Sequence, residues 1–398
     1  MRSILSFIAV VACAQEIMPG VGAGGAMRLR TSDSSVLDAK EPRSDLPCIV
    51  TPVQPELMFD LRFHVGYMVS IPMKELEGAK NTLTILFRVL PESRAHEPVY
   101  FVQKFQVPEM AEGTNKGMAG LEGAFRVGEG KYRIEWLMRD QNERLCASFW
   151  DLDARANAGD NLLPGSIVAN SIEAQDQTLF SDELSVARAQ PGRSLHVKVM
   201  VNFDPQNSPS VSLGNIDLEG VAGILRKIMG EPSFGQYSIV VYSIQAQQVL
   251  YRQEAAAHID LPALGKSLRS LDLGTVDLKK LQAKNSETSF LENLVAEEMT
   301  KQHVDAVFFV GPKFYLDANV SHEVVDRLRQ PDSPVFYLNY NPHPLSSPWR
   351  DAIGKIVHRL QGTEYTVSRP RDLCNAWPEI VQRILKRKSA LQSSSGTF

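Results

Sequence analysis

The sequence predicts a multi-domain chain, with an antiparallel β-sandwich in its N-terminal half and a doubly wound, mostly parallel α/β domain in its C-terminal half. From about residue 51 to 190, short alternating strands are separated by Gly, Pro and Asn turns, which is typical of sandwiches. From 191 to 388, apolar strands alternate with amphipathic helical segments, which indicates a parallel sheet. A chain of 398 residues with 43% hydrophobic content is long enough for two cores.

The first residues have the order of a secretory signal peptide. Arg2 precedes a short apolar run, and small residues follow at Cys13 and Ala14. Residues 1–14 are therefore predicted to be a leader cleaved after Ala14, with the mature chain exported to the periplasm or the extracellular space. Residues 10–13 also resemble a bacterial lipoprotein box, so a membrane-anchored lipoprotein with a lipid on Cys13 is the alternative. The box lacks its usual Leu, which favours simple cleavage.

The segments on either side of the two domains have little periodicity. Residues 15–50 are rich in Gly, Ser, Asp and Pro and are predicted to be a flexible linker. Residues 389–398 are predicted to be a disordered tail, because they contain a Ser-rich run at the chain end. No transmembrane helix is predicted in the mature chain.

Charge and cysteine content limit the partners and the redox chemistry. The net charge is -4 and the one dense basic block, at 386–388, fits the end of a helix, so we expect no nucleic-acid partner. Cleavage of the leader leaves Cys48, Cys146 and Cys374, an odd number. The first two fall in one domain and could pair, although spacing alone does not establish it.

The N-terminal domain is predicted from side chains that alternate along its strands. Apolar residues at 132, 134, 136 and 138 share one face of a half-buried strand, and a hairpin loop follows at 140–143. The run Gly130-Lys131-Tyr132 and the apolar alternation after it resemble a late strand of immunoglobulin-like sandwiches. Trp136 and Trp150 are predicted to be core residues. Seven strands are predicted, at 58–65, 68–73, 82–89, 99–107, 124–127, 132–139 and 145–150.

The C-terminal domain is predicted from strongly apolar strands followed by helical spacing. The strands at 304–310 and 335–340 are apolar along nearly their whole length, as burial on both faces of a parallel sheet requires. Strands are predicted at 195–203, 237–246, 249–253, 304–310, 335–340 and 364–367, and helices at 217–229, 290–302, 320–329, 348–360 and 373–387.

This order of elements resembles the von Willebrand factor type A domain, a Rossmann-like fold, over roughly residues 193 to 388. The resemblance implies a metal-ion-dependent adhesion site built from an Asp-x-Ser-x-Ser loop, a Thr from a second loop, and an Asp after the fourth strand. Asp204 matches the first Asp and Ser208 the second Ser, whereas Gln206 replaces the first Ser. Thr288 could be the second-loop Thr. After the fourth strand no Asp occurs before Asp317.

The departures from this motif predict a degenerate metal site and no cofactor. Mg²⁺ prefers octahedral oxygen coordination, and the missing Ser and Asp leave too few hard ligands. The alternative is a Mg²⁺ or other divalent cation bound by Asp204, Ser208 and Thr288. Without metal, Asp204 and Ser208 are predicted to cap the turn that follows them, and Thr288 or Ser289 to cap the helix at 290–302.

Parallel strands expose their carboxyl ends along one edge, and ligand-binding residues are expected there. The hypothetical ligand-binding residues on this edge are Asp204, Asn207, Ser208, Thr288, Asn341 and His343. Glu297 and Glu298 are predicted to form a solvated helix face. Asp372 is predicted to cap the last helix rather than form an anion site with Arg369.

Three functions are consistent with these features. The first is an exported, non-enzymatic protein-interaction or adhesion-type protein that binds a protein or cell-envelope ligand at this edge. The second is a structural or assembly component of a bacterial cell envelope. The third is a hydrolase that uses Asp204 or His343, which would require a pocket where both converge. The sequence contains no Gly-x-Ser-x-Gly elbow, phosphate-binding loop or His-Glu-x-x-His motif, which favours the non-enzymatic functions.

Overall fold

The structure is a computed structural model. It describes residues 16–18, 30–78, 80–110, 117–157, 167, 169–174, 180, 194–206, 213, 215–269, 286–314, 316 and 333–395. The chain divides into two compact units, Met1–Gln177 and Thr178–Phe398. The predicted leader, the helix predicted at 320–329 and the domain boundary predicted at 190 lie outside the described residues.

The first unit contains two antiparallel sheets, as predicted for the N-terminal half. One has the strand order β1-β7-β6-β9-β10-β2 and the other β11-β8-β5-β3, with β4 paired to β5. These elements are β1 Glu16–Met18, α1 Thr31–Ala39, β2 Arg43–Ser44, β3 Ile49–Pro52, β4 Glu56–Leu57, β5 Phe63–Pro72, β6 Asn81–Pro91, β7 Val99–Val107, β8 Met118–Val127, β9 Gly130–Arg139, β10 Leu145–Ala154 and β11 Ile172–Ala174.

The two sheets share one aromatic core, to which alternate residues of both contribute. Trp136 is fully buried, as predicted, and its ring lies edge-on to Tyr67 at 5.7 Å between centroids. Trp150 is partly buried against the same core. The pleat of β9 therefore directs its apolar residues inward, as its period-two pattern requires.

Some strand bounds differ from the predicted ones, and the hairpin is confirmed. β5 is one continuous strand where two were predicted, because Gly66 does not interrupt its pairing with β8. β9 and β10 pair antiparallel around the loop predicted at 140–143. The Asp140 carboxylate accepts hydrogen bonds from the Asn142 and Arg144 amides at 2.9 Å and so stabilises this turn.

The prediction of a flexible linker over residues 15–50 is wrong for residues 16–18 and 30–50, which the structure describes. β1 pairs with β7, and α1 buries Val36 and Leu37 against an apolar cluster on the outer face of the first sheet. Asp33 of α1 forms an ion pair with Arg139 of β9. Val36 and Leu37 give this short helix an apolar packing face. The Gly-rich composition of the surrounding sequence does not indicate a helix here.

A disulfide joins Cys48 to Cys146, a pairing that spacing left open. Their Cα atoms are 6.3 Å apart, within the usual range. The bond connects the residue before β3, in one sheet, to β10 in the other. Cys374 is unpaired and half-buried.

The second unit contains one mostly parallel sheet with helices, as predicted for the C-terminal half. Its strand order is β14-β13-β12-β15-β16-β17, and β14 alone of these strands pairs antiparallel with its neighbour. The elements are β12 Leu195–Asn202, α2 Asn215–Met229, β13 Phe234–Ser243, β14 Gln248–Ala256, α3 Leu261–Arg269, α4 Ser286–Lys301, β15 Ala306–Pro312, β16 Val335–Tyr340, α5 Ala352–Arg359, β17 Thr363–Val367 and α6 Pro370–Ser395.

Helices cover both faces of this sheet, which explains its apolar central strands. Every residue of β15 and β16 is buried. Residues of α4 and α5 join the core on one face. On the other face, the Trp377 ring of α6 stacks on Phe308 at 6.1 Å. Within the described residues, no helix is both long and apolar enough to cross a membrane.

The last helix differs from its predicted bounds at both ends. It begins at Pro370, and Asp372 accepts hydrogen bonds from the Arg369 and Ser368 amides, so the predicted capping by Asp372 occurs from inside the first turn. The helix continues to Ser395, which corrects the tail predicted at 389–398. Ala390, Leu391 and Gln392 are good helix formers and offset the Ser content.

The predicted solvated face at Glu297 and Glu298 is wrong for Glu298. Its carboxylate is fully buried and accepts a hydrogen bond from Lys198 of β12 at 2.9 Å. Burial alone raises the pKa of Glu298, but hydrogen bonds from Lys198 and Lys301 hold that pKa below its usual range. Glu297 remains about half exposed.

Candidate functional site

The candidate site is the carboxyl edge of the parallel sheet, where the strand order reverses between β12 and β15. Ligands of doubly wound sheets bind at such a point. The two strands approach closely because Gly311 has a φ of +135°, and a Cβ there would lie 2.4 Å from the Asn202 carbonyl oxygen. The Asn202 side-chain amide donates to the Pro312 carbonyl at 3.2 Å. Glycine at 311 is thus required by the backbone at this edge.

Asp204 lies just beyond β12 and is completely buried. One carboxylate oxygen accepts from the Ser243 hydroxyl at 2.5 Å, and the other accepts from the Ile244 and Gln245 amides at 2.5 and 3.3 Å. These bonds hold the turn between β13 and β14, whereas the turn that Asp204 was predicted to cap continues into residues 207–212, outside the described residues. Asp204 therefore fixes the position of that hairpin.

Burial raises the pKa of Asp204 to about 6, although its three hydrogen bonds act in the opposite direction. The charge of Glu287 adds to the increase in this pKa. Glu287 is in the first turn of α4, so the structure brings that turn close to Asp204. A hydrogen bond of 2.8 Å from Gln247 to Ser286 also connects the hairpin to the start of α4.

Thr288 lies inside α4, which begins at Ser286, so the prediction that Thr288 or Ser289 caps this helix is wrong. The Thr288 side chain is buried and its hydroxyl has no hydrogen-bond partner. Asn207 and Ser208 lie outside the described residues.

Asn341 and His343 follow β16 at the same edge. Asn341 is buried, its amide donates to the Val367 carbonyl at 3.0 Å, and its side-chain oxygen accepts from the His343 amide at 3.2 Å. The His343 side chain is exposed. Burial raises the pKa of Asp217, in the first turn of α2, and the nearby His343 opposes that shift. Asn341 is thus a loop-shaping residue and His343 a surface one.

Asp351 is a buried residue at this edge that sequence reasoning did not select. It caps α5 by accepting from the Gly354 amide at 2.8 Å, and it also accepts from the Tyr337 hydroxyl at 3.0 Å. Burial raises the pKa of Asp351 to about 6. An Asp before an apolar helical repeat is an N-cap signal, and this signal could have located it. Tyr242 lies near both Asp204 and Asp351, whose charges add to the increase that burial causes in its pKa.

Four buried polar atoms at this edge have no hydrogen-bond partner among the described residues. Each costs about 1–3 kcal/mol when buried without a partner, and such groups in native proteins usually have a bound water or ligand. All four lie at the ends of strands or at the start of α4. They are the Asn202 side-chain oxygen, the Tyr242 hydroxyl, the Thr288 hydroxyl and the Asn339 side-chain oxygen.

These residues do not make a good cation site. The Asp204 oxygens already accept three hydrogen bonds, and the hydroxyls of Thr288 and Tyr242 are neutral ligands. In the part of the chain that is described, no group of three or more His, Cys, Asp or Glu residues could hold a metal ion. Among the described residues, the arrangement offers neutral hydrogen-bonding groups.

No protein-family model matches the chain, and no curated protein does. A structural genomics target is 10% identical over 33% of this chain and 99% of its own, with a TM-score of 0.19. A calcium-binding mutant of β-glucuronidase 2 from Bacteroides uniformis is 11% identical over 78% of this chain and 38% of its own, with a TM-score of 0.20. A glycosyl hydrolase family 2 member from Bacteroides cellulosilyticus is 10% identical over 85% of this chain and 40% of its own, with a TM-score of 0.20. Similarity at this level carries no argument about fold or function.

Proposed function

We propose that this chain is an exported, non-enzymatic protein-interaction or adhesion-type protein of bacterial origin. It combines an immunoglobulin-like sandwich with a von Willebrand factor type A-like domain whose metal site is degenerate. The observation that carries this proposal is the group of four buried polar atoms without a hydrogen-bond partner, on Asn202, Tyr242, Thr288 and Asn339, at the carboxyl edge of the parallel sheet. The ligand is a protein or another cell-envelope component that binds at this edge.

Features of the first unit support the immunoglobulin-like part of the proposal. Strands β3, β5 and β8 lie in one sheet and β6, β9 and β10 in the other, an arrangement that parallels the A-B-E and C-F-G strands of such sandwiches. The Tyr132 hydroxyl donates to the Gly128 carbonyl, four residues upstream, at 2.8 Å. This is the geometry of a tyrosine corner.

The strand order of the second unit supports the type A-like part. When the six strands are numbered by their order along the chain, their order across the sheet is 3-2-1-4-5-6, which is the doubly wound order. The third strand, β14, lies at one edge of the sheet and is antiparallel to its neighbour. The described elements follow the order on which the sequence resemblance was based, apart from the helix predicted at 320–329, which lies outside the described residues.

The placement of Asp204 and His343 favours binding over hydrolysis. A general base must have a free lone pair that reaches the substrate, whereas the Asp204 oxygens are bonded within the protein. His343 is an exposed residue of a different loop. We therefore propose no catalytic residue and no cofactor.

Export is supported by the pairing of Cys48 with Cys146, because disulfides persist in oxidising compartments. We propose a periplasmic or extracellular protein, with a lipid anchor at Cys13 as the alternative. A structural or assembly role in the cell envelope is the second candidate function. It is favoured by exposed apolar residues on the outer face of the second sheet, Ile49, Val53 and Met68.

A phage-displayed random peptide library, panned on the immobilised chain, tests the binding proposal. We expect enriched peptides to bind the wild type and to lose binding to Thr288→Trp, because the larger ring blocks the edge. Leu385→Trp is the matched control, since Leu385 is 45% exposed on α6, near Arg383, which contacts Thr363 at the opposite, amino edge of the sheet. Equal binding to the wild type and to folded Thr288→Trp would contradict the proposal.

Calorimetric titration with Mg²⁺, Mn²⁺ and Ca²⁺ tests the degenerate metal site. We expect no saturable binding up to millimolar metal, because too few hard ligands are available. Saturable binding that is lost in Asp204→Ala would replace the proposal with a metal-dependent adhesion site.

A further inference from the structure

The outer face of the first sheet carries an apolar row that crosses four strands. The cross-strand pairs of Leu86 with Val102, Leu86 with Leu137, and Leu137 with Ala147 place these side chains next to one another. All four are buried, on the face opposite to the core between the two sheets. The outer face of an antiparallel sheet is usually polar and solvated, so an apolar row of this length needs a cover.

Helix α1 covers this row with two side chains. Val36 and Leu37 pack against it, and Asp33 is the one other buried residue of the helix. The remaining residues of α1 are exposed or half-buried. Because so few apolar contacts hold the helix, it can leave the sheet by local opening, without unfolding of the unit.

Two ion pairs fix the helix across the row. Asp33 binds Arg139 on β9, and Asp38, on the other side of the two apolar residues, binds Arg88 on β6 at 2.9 Å. The Asp38 side chain is 65% exposed, and water and salt weaken an ion pair of this kind. The surface beneath α1 is thus an apolar row between two arginines.

The sequence of α1 gives the helix little stability of its own. Ser, Thr and Asp predominate in it, and they are poor helix formers. The Arg30 side chain does not cap the first turn, and the chain leaves the helix through Lys40 at a φ of 56°, a conformation that favours glycine. Nine residues are also too few for a stable isolated helix. The helix therefore depends on its contacts with the sheet.

We propose that α1 is a displaceable cover, which alternates between the closed state of this structure and an open state in which the apolar row is exposed. The chain after α1 stays in place when the helix opens, because β2 pairs with β10 and the disulfide fixes Cys48. The open surface fits a helical segment of the same chemistry as α1, with adjacent apolar side chains between two carboxylates. This inference concerns the first unit alone and is independent of the proposed function.

Thiol labelling of the full chain with a maleimide tests the opening. Val102→Cys places a thiol beneath α1, and Val89→Cys, in the core between the sheets, is the matched control. Both are made together with Cys13→Ser and Cys374→Ser, so that only the new thiol reacts. We expect Val102→Cys to react faster than Val89→Cys and with less dependence on urea, since local opening exposes little surface. Equal rates, or an equal dependence on urea, would overturn the proposal.

Substitutions in α1 test whether this helix controls the labelling. Leu37→Ala removes its main apolar contact and should raise the labelling rate of Val102→Cys roughly ten- to hundredfold. Asp38→Asn should raise the rate about two- to fivefold. Ser35→Ala, on the exposed face of the same helix, should not raise it. A rate that Leu37→Ala leaves unchanged would contradict the proposal.

A peptide with the sequence of residues 31–39 tests the surface beneath the helix. At millimolar concentration it should slow the labelling of Val102→Cys in the chain that carries Leu37→Ala, because it occupies the row that α1 vacates. A peptide of the same composition in scrambled order should not slow it. Labelling that the two peptides slow equally, or that neither slows, would show that the open surface does not recognise a segment of this chemistry.

Discussion

Asp204 illustrates how a single carboxylate can serve the fold at a position that the sequence assigns to a site. Its oxygens connect the end of β12 to the turn after β13 through Ser243, Ile244 and Gln245. Its complete burial opposes ionisation, since a charged carboxylate loses its hydration. The same residue therefore orders the edge and makes the stability of the second unit depend on pH.

Asp204→Asn should remove part of this pH dependence. The folded pKa is raised from 3.8 to about 6, so the folded state binds more protons and loses stability as pH rises from about 4 to about 6. The loss for Asp204 is up to roughly 3 kcal/mol. Urea unfolding of the wild type and the variant at several pH values measures their free energies of unfolding. The difference between the two free energies should change between about pH 4 and pH 6.

Asp351→Asn is a parallel test of the same effect, because burial also raises the pKa of Asp351 from 3.8 to about 6. Asp351→Asn should remove a similar part of the change in unfolding free energy between pH 4 and 6. The double variant should remove the contributions of both carboxylates. A wild-type to Asp204→Asn difference that stays constant from pH 4 to 6 would contradict the assignment.

Gly311→Ala should destabilise the second unit, because it adds a Cβ 2.4 Å from the Asn202 carbonyl oxygen at a φ of +135°. Backbone strain of this kind costs about 1–3 kcal/mol, and the clash adds to it. Chemical denaturation measures the loss. Gly120→Ala, in an exposed and extended part of β8, is the control and should change stability little.

At this scale, the sequence locates residues better than their contacts. The apolar run that ends at Asn202 places Asp204 at a strand end, and the structure agrees. Its partner Ser243 is 39 residues further along the chain, and pairing at that separation leaves no local signal. The sequence predicts Thr288 ahead of its helix because the pattern indicates a loop at Ser286 and Glu287, whereas these two residues begin the helix.

At the scale of elements, the central strand β12 and helix α4 are joined by a buried ion pair between Lys198 and Glu298. Arg252 and Lys301 also contact the Glu298 carboxylate, at 2.9 and 3.0 Å. A buried pair adds little net stability, whereas loss of one partner leaves an uncompensated charge. The pair therefore specifies how α4 packs on the sheet more than it stabilises the packing.

Glu298→Gln should lower the free energy of unfolding by about 3–5 kcal/mol, because Lys198 remains buried without its counter-ion. The double change Lys198→Met with Glu298→Met should recover most of the loss. Glu297→Gln, about half exposed, is the control and should cost about 0–1 kcal/mol. Denaturant titrations of the four proteins measure these values, and a double change as costly as Glu298→Gln would contradict this interpretation.

The elements found from sequence are those with long, unambiguous patterns. β15 and β16 were located because uniform burial makes them apolar throughout. Helix α1 was missed because its nine residues bury only Asp33, Val36 and Leu37, too few for a visible repeat. The end of α6 was missed because Ser residues, poor in helices, dominate it.

At the scale of the whole molecule, each unit has its own core, and a covalent cross-link is present in the first. The Cys48–Cys146 bond closes a loop of 98 residues. In the chain-entropy account, a loop of this length stabilises by up to about 4.7 kcal/mol. The arrangement of the two halves as antiparallel and mostly parallel sheets was predictable, whereas the cysteine pairing was not, because spacing does not determine proximity.

Replacing both cysteines by Ser should lower the stability of the first unit by about 2–5 kcal/mol. Fluorescence of Trp136 and Trp150, in a background with Trp349→Phe and Trp377→Phe, follows this unit alone during urea unfolding. Cys374→Ser is the control and should leave the transition in place. A transition unchanged by loss of the disulfide would show that the loop is held by other contacts.

The same disulfide determines how the chain bears tension. A pull applied to the chain ends passes through the Cys48–Cys146 bond, so the segment between these cysteines, which are 98 positions apart, cannot be extended while the bond is intact. At about 3.4 Å per residue, roughly 330 Å of polypeptide is withheld from extension. Under mechanical load, α1 and the strands before Cys48 can detach from the first sheet. The strands from β3 to β9 remain within the covalent loop that the disulfide closes.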